Sequence, residues 1–403
     1  MAESADVGLE RRPKRKRKRP ALTQLCELSF LHRAWSEIGK NPLSFGIDNV
    51  SIEAFRSGLD LELARIRSDL IGKTYKFQML RGVPIPKPGT EKIRPIQVPA
   101  VRDRVVAKAL ALLIGPDLKK FDHPFSFGYR TGLSRNNAIA AIHKAAAVGL
   151  TWVLEADITN FFGEVNNLLL FEKLFKVVGK PSIKNLIIQA VVNEIGNRDQ
   201  IVPKHRGSFP QAGEGIPQGA ILSPMLANFY LSSFDAEMEK RGFQMVRYAD
   251  DFVVMCADQM QATKAYTFAK EYLCAELKLE MHELGSPKTR IVEYQSGFTF
   301  LGYEIRQGKH YPSQQSIKKV LDKVDKAFEH PKGKALFPIV IKITQSLSVW
   351  RATYKDAELG DAAHRINTRV ANCVTEFLRL NGFTHDGRTV TKRQLLILGI
   401  PSI

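Results

Sequence analysis

Two adjacent carboxylates, Asp250 and Asp251, stand in the run Tyr248-Ala249-Asp250-Asp251, between the apolar stretches Met245-Val246 and Phe252-Val253-Val254-Met255. The flanks read as strands and the residues between them as a hairpin tip. Side by side in a buried ribbon, two carboxylates repel one another and lose hydration, which makes physical sense chiefly where divalent cations neutralise them. A third carboxylate, Asp157, closes the strand-like run that starts Thr151-Trp152-Val153-Leu154 and is followed by Ile158-Thr159-Asn160-Phe161-Phe162. Three carboxylates from two strands can hold two Mg2+ ions about 3.5 to 4 Å apart, the arrangement used for in-line attack on phosphorus. An isolated Asp-Asp pair is ordinary turn material. The elements around it decide between the two readings.

The stretch from about Leu22 to Phe77 reads as helices, with Leu59, Leu63, Ile66 and Leu70 spaced for one buried face and Gly72 as a stop. Residues 78–99 turn strand-like and predict a hairpin with its tip at Pro88-Gly89 and with Lys87 and Arg94 on its arms. Helices are predicted over 102–114, 136–147 and about 168–195. A polar loop then reaches Gly215-Ile216-Pro217-Gln218-Gly219, followed by helices over 220–238 and 262–277. Beyond Pro312 the pattern becomes amphipathic helix: Ile317, Val320, Leu321, Val324 and Phe328 keep helical spacing, and a second set runs Ile366, Val370, Cys373, Val374, Phe377 and Leu378.

A chain of 403 residues with 44% apolar content can bury a substantial core in two or three units. Its charge is the departure from the ordinary: 59 Lys and Arg against 41 Asp and Glu give +18. The run Arg11 to Arg19 supplies eight positives, and without them the rest still carries +10. Such a field favours a polyanion, nucleic acid before a membrane surface, since no amphipathic lipid-binding stretch accompanies it. Lys14, Arg15, Lys16, Arg17, Lys18 and Arg19 read equally as a nuclear localisation signal or as an arm gripping phosphates. Cys26, Cys256, Cys274 and Cys373 lie far apart with no CxxC pair, which excludes a zinc module and a disulfide framework. With no long apolar run and no apolar core behind the N-terminal charges, neither a membrane span nor a secretory signal is expected, and the site of action is expected to be the cytoplasm.

The order of features (basic hairpin, strand Asp, Gly-Pro-Gln-Gly turn, Asp-Asp hairpin, Lys loop, Phe298-Thr299-Phe300-Leu301-Gly302) resembles the reverse transcriptases over residues from about 30 to 380. It is most similar to the group II intron type in Gly46-Ile47-Asp48-Asn49-Val50-Ser51, Ile85-Pro86-Lys87-Pro88, Arg102-Asp103-Arg104-Val105-Val106 and Gly215-Ile216-Pro217-Gln218-Gly219-Ala220-Ile221-Leu222-Ser223-Pro224-Met225-Leu226-Ala227-Asn228. The resemblance implies an α+β right-hand polymerase. A disordered basic arm would span 1–21, fingers with part of the palm 22–150, an antiparallel palm 151–311 with a helical insertion at about 165–200, and a helical thumb 312–403.

It further implies Asp157 and Asp250 as metal-bridging catalytic residues, Asp251 as a weaker ligand and the Ile158 carbonyl as an added one, for two Mg2+ ions with Mn2+ as substitute. Phe162 would wall off the sugar 2′-position, with Phe161 in the core. Lys87 and Arg94 would clamp the incoming triphosphate, the Arg by its planar fork and the Lys as a point charge. Gln218 would offer its amide to the base pair or sugar, and Lys288 would sit near the leaving pyrophosphate, as general acid or as a phosphate-facing cation. Arg130 and Arg135 would touch template phosphates, whereas Trp350 and Tyr354 are expected in the core.

Retron signatures and a Cys-rich endonuclease region are missing. The expected biology is therefore a compact bacterial defence-associated enzyme that copies a partner noncoding RNA, with the RNA template, the RNA/DNA hybrid and dNTPs as partners. A group II intron maturase acting in splicing, for which the basic thumb and arm would do the essential work, and a template-independent DNA polymerase, which would share every catalytic residue, stay open at this point.

Overall fold

The structure, a computed structural model, describes residues 20–38, 41–87, 90–383 and 388–403. The basic run Lys14 to Arg19 and the expected tip Pro88-Gly89 lie outside the described residues. In chain order come helices α1 (Ala21–Leu25), α2 (Leu28–Ser36), α3 (Ile52–Ser57) and α4 (Leu59–Ile71), then the hairpin β1 (Arg81–Pro86) and β2 (Ile93–Val98), then α5 (Val101–Leu118). Next are α6 (Arg135–Ala147), β3 (Trp152–Asp157), α7 (Phe161–Glu164), α8 (Asn167–Val177), α9 (Lys184–Val191), α10 (Pro203–Arg206) and α11 (Ser223–Lys240). The hairpin β4 (Gln244–Tyr248) and β5 (Asp251–Cys256) is followed by α12 (Gln259–Leu277), β6 (Arg290–Glu293), β7 (Phe298–Phe300), β8 (Tyr303–Arg306) and β9 (Lys309–Pro312). Helices α13 (Gln314–Ala327), α14 (Leu336–Thr353), α15 (Ala362–Leu380) and α16 (Lys392–Ile397) close the chain. The mixture of helix and antiparallel sheet is the α+β class expected from the sequence.

Two compact units emerge, Met1–Phe121 with Val165–Leu226, and Asp122–Glu164 with Ala227–Ile403. In the first, the periodicity of α4 works as anticipated: Leu63, Ile66 and Leu70 are buried and Gly72 caps the helix. Helix α5 runs beyond its expected end at Ile114 and through Pro116, and packs on α2. Its apolar residues are buried nearly all round, as in a helix enclosed by neighbours. The β1–β2 ribbon pairs Ile85 with Arg94 and Val83 with Ile96, and Leu80 and Ile93 join Ile195, Ile201 and Phe209 in a small core.

In the second unit an antiparallel sheet runs in the order β4-β5-β3-β6. Strand β5 is central and buried from Phe252 to Cys256, which is why its sequence is continuously apolar instead of alternating. A three-stranded meander β7-β8-β9 leads into the helices. One core joins Val153, Val253 and Met255 of the sheet, Ile139 and Ile142 of α6, Phe298 and Ile305 of the meander, and Ile317, Val324, Ile343, Ile366 and Phe377 of α13 to α15. The helical spacing read beyond Pro312 therefore faces inward, anchored by the Ser313 cap, whose hydroxyl accepts from Ser316 N.

Candidate active site

The sheet brings the acidic residues together. Asp157, last in β3, pairs in register with Asp251, first in β5, so both project from the same face. Asp250 occupies the two-residue turn of the β4–β5 hairpin, whose first turn residue, Ala249, has φ 60°. Burial pushes the Asp250 carboxyl up from its ordinary range, and the Asp157 charge adds to the shift. Asp251 is pushed up to about 8, first by burial, then by the Asp250 charge and by a hydrogen bond shared with Asp157.

Without cations the cluster thus keeps a proton, and Lys288 Nζ supplies a positive charge 3.1 Å from Asp157 Oδ2. Burial works against the Lys288 ammonium, but Asp157, Asp251 and Asp250 outweigh it and hold its pKa above the usual lysine value. Behind Asp157, Thr159 N donates to Glu280 O (2.8 Å) and His282 N to Asp157 O (3.3 Å). Ile158 therefore faces Met281 as the non-hydrogen-bonded member of that pair. Successive carbonyls alternate along a strand, so the Ile158 carbonyl points to the opposite edge, where β3 meets β5.

Three carboxylates and a carbonyl oxygen are the hard donors a divalent cation takes. Among the described residues, no group of three or more His, Cys, Asp or Glu side chains is drawn together closely enough to cage a cation unaided. Asp157 and Asp251 line a cleft of about 620 Å³ together with Glu155, Lys288 and Arg135, and with Lys319, Lys323 and Trp350 of α13 and α14.

The other expected residues divide between the units. Phe161 is core, 2% exposed, as expected. Phe162 is half-buried and meets Phe161 and Tyr129 edge-on, at centroid distances of 5.5 and 6.4 Å. Lys87, Arg94 and Gln218 belong to the first unit. Lys87 and Arg94 are exposed, on either arm of the β1–β2 hairpin. Gln218 O accepts from Gln97 N at 2.8 Å. Next to it Gly219 has φ 118°, and a Cβ there would sit 3.1 Å from Gln97 O, so the turn can lie against β2 only with glycine.

Residues 85–305 match the family described as reverse transcriptase (RNA-dependent DNA polymerase). The chain belongs to that family. It is similar to Protein YkfC of Escherichia coli (strain K12), 28% identical over 315 residues that cover 68% of this chain and 78% of YkfC. It is also similar to the group II intron-encoded protein LtrA of Lactococcus lactis subsp. cremoris, 23% identical over 352 residues, 70% of this chain and 55% of LtrA. Among solved structures, a partial Cas6-RT-Cas1-Cas2 complex is 27% identical with a TM-score of 0.39, over 68% of this chain and 46% of that one. The chain thus spans about half the length of LtrA and of that structure. The group II intron-type resemblance read from the motifs holds, and with it the right-hand polymerase fold and the enzyme class, an RNA-directed DNA polymerase.

For this reverse transcriptase the structure adds neighbours that sequence reading did not place at the site. Tyr129, φ 59° and 49% exposed, touches Phe162, and its hydroxyl pKa is raised by burial and then by the Asp250, Tyr248 and Asp251 charges. Glu155 lies two residues before Asp157 on the same face and pairs across the sheet with Arg290 at 2.7 Å. Its alternation with Asp157 was the available signal. His282 Nε2 comes within 3.7 Å of Asp157 Oδ2.

The two arginines expected at template phosphates have different partners. Arg135 lines the cleft and donates to Leu301 O at 3.0 Å. Arg130 spends its guanidinium on its own loop, donating to His123 O (2.6 Å) and Ser126 O (2.7 Å) beside Asp122, and in this structure acts as a brace. Trp350 and Tyr354 are buried as expected, 7% and 3% exposed. No helix among the described residues is long and apolar enough to cross a membrane.

The Asp251 shift has a measurable sign. Its folded pKa lies above its ordinary value of 3.8, so the stability gained by holding the proton is fully present below about pH 4 and is lost as pH rises through about 8. In chelator, the melting temperature is expected to fall between pH 5 and pH 8.5, and Asp251→Asn to flatten that slope. An equally steep slope in the variant would contradict the shared proton.

Proposed function

We propose that the cleft of the second unit is the nucleotidyl-transfer centre at which a primer 3′-hydroxyl attacks the α-phosphorus of a dNTP and pyrophosphate leaves. The observation that supports it most is the register pairing of Asp157 with Asp251 beside the turn that carries Asp250. Asp157, Asp250, Asp251 and the Ile158 carbonyl would hold two Mg2+ ions, or Mn2+, whose chemistry there is to acidify the primer hydroxyl and to offset charge on the leaving group. Lys288, paired to Asp157, would offer its ammonium to the negative charge that grows on the departing pyrophosphate. Phe162, backed by Tyr129, walls the sugar 2′-side. Lys87 and Arg94 bind the triphosphate, and Gln218 contacts the nascent pair. Arg135 and the basic arm Lys14 to Arg19 hold template phosphates, and the reading keeps the fingers, palm and thumb divisions given above.

The reading extends to the template, a dedicated noncoding RNA copied in antiphage defence, which rests on the motif resemblance and the +18 charge. A splicing role is the second reading, favoured by the similarity to LtrA, a group II intron-encoded protein. Sequencing the RNA and DNA that co-purify with the wild type and with an Asp250→Ala, Asp251→Ala double variant separates them. The first reading expects one RNA enriched in both samples and its complementary DNA only with wild type. Enrichment of intron RNA with no complementary DNA in either sample would favour splicing.

A further inference from the structure

The turn that carries Asp250 is held in a conformation its sequence disfavours. A two-residue hairpin loop whose first residue has positive φ follows the type II′ pattern, in which glycine is the usual choice. Here that residue is Ala249, at φ 60°. A non-glycine residue in this region is strained and persists only where its surroundings over-determine it.

Those surroundings are specific. Arg247, 1% exposed, donates from Nη1 to Ala249 O (2.8 Å) and to Asn228 Oδ1 (3.1 Å). Its Nε and Nη2 fork onto the Asp235 carboxylate of α11 at 2.6 and 2.5 Å, and Asp235 is itself 1% exposed. Asn228 Nδ2 donates in turn to Gly128 O at 2.7 Å. Gly128 lies directly against the turn, where a Cβ would come within 2.4 Å of Ala249 N. The backbone closes the frame: Arg247 N donates to Phe125 O and Phe127 N to Arg247 O, both at 2.9 Å.

We propose that Arg247 is a positioning residue, clamped by Asp235 and Asn228, that fixes the left-handed turn at Ala249 and so sets where the Asp250 carboxylate stands. The fork geometry is the reason for arginine. Lysine keeps the charge but cannot engage a carboxylate in two parallel bonds while also reaching a carbonyl and an amide. The proposal rests on the polymerase reading for its rate measurement alone, since the placement of the carboxylates can also be read from cation binding.

The test compares wild type with Arg247→Lys, with Asn228→Ala, and with Arg247→Lys combined with Ala249→Gly. Three quantities are measured: Mn2+ affinity by electron paramagnetic resonance without nucleotide, single-turnover extension rate at saturating template and dNTP, and melting temperature. Folded Arg247→Lys is expected to bind Mn2+ about tenfold more weakly and to extend about 10²-fold more slowly, with template–primer affinity unchanged. Adding Ala249→Gly is expected to recover a large part of both losses, because glycine takes the positive φ unaided. A purely global role for the buried pair would give no such rescue.

Wild-type Mn2+ affinity and rate in folded Arg247→Lys, or no recovery on adding Ala249→Gly, would overturn the proposal. If Arg247→Lys does not fold, Asn228→Ala, which leaves the Asp235 fork intact, decides by the same two readouts. Wild type that binds Mn2+ but makes no DNA would count against the polymerase reading, and the Mn2+ comparison would still judge Arg247.

Discussion

Asp250→Asn is expected to lower DNA synthesis by about 10³-fold or more, since losing a charge that organises the cations removes several kcal/mol of transition-state stabilisation at about 1.4 kcal/mol per tenfold. The same substitution is expected to raise the melting temperature in chelator. Asp250 is held above the normal carboxylate range by burial and by the neighbouring Asp157 charge, and an amide of the same shape removes that repulsion. Opposite signs for activity and stability are what a functional acidic cluster should give, because its carboxylates are kept together against their mutual repulsion. Near-wild-type extension by the folded variant would remove Asp250 from the mechanism. Lower stability in chelator would show that its carboxylate serves the fold instead.

Phe162→Ala is expected to admit ribonucleotides, lowering the preference for dNTP over rNTP in kcat/KM by about 10²-fold. The ring is half-buried against Tyr129 and Phe161 rather than locked in the core, so its loss should leave folding largely intact. Tyr129 meets the ring edge-on, so Tyr129→Ala should relax selectivity in the same direction by a smaller factor. Measuring single-nucleotide insertion of matched dNTP and rNTP on one template checks both. Unchanged ratios in both variants would assign the aromatic cluster to packing.

Much of this site was legible because its chemistry departs from its surroundings. Carboxylates ending apolar strands stand out, and the resemblance to reverse transcriptases grouped Asp157 with Asp250 and Asp251; the register that sets Asp157 against Asp251 came from the structure. The helices past Pro312 declared themselves by periodicity, since one face must be buried. The supporting shell was not legible. Arg247 and Asp235 lie 12 residues apart and read as ordinary charges on a strand and a helix; only tertiary structure shows them to be a buried pair. Tyr129 carried no periodic signal because it sits in a loop at positive φ. The carbonyls that Arg130 engages were not legible either, because sequence shows a cation's charge but not its partners.

The most direct test of RNA-templated synthesis at this site is primer extension on a defined heteropolymeric RNA with all four dNTPs and Mg2+, followed by sequencing of the product. DNA complementary to the template, dependent on the divalent cation and lost in Asp250→Ala, is the expected result. No extension, or a product whose sequence ignores the template, would contradict it.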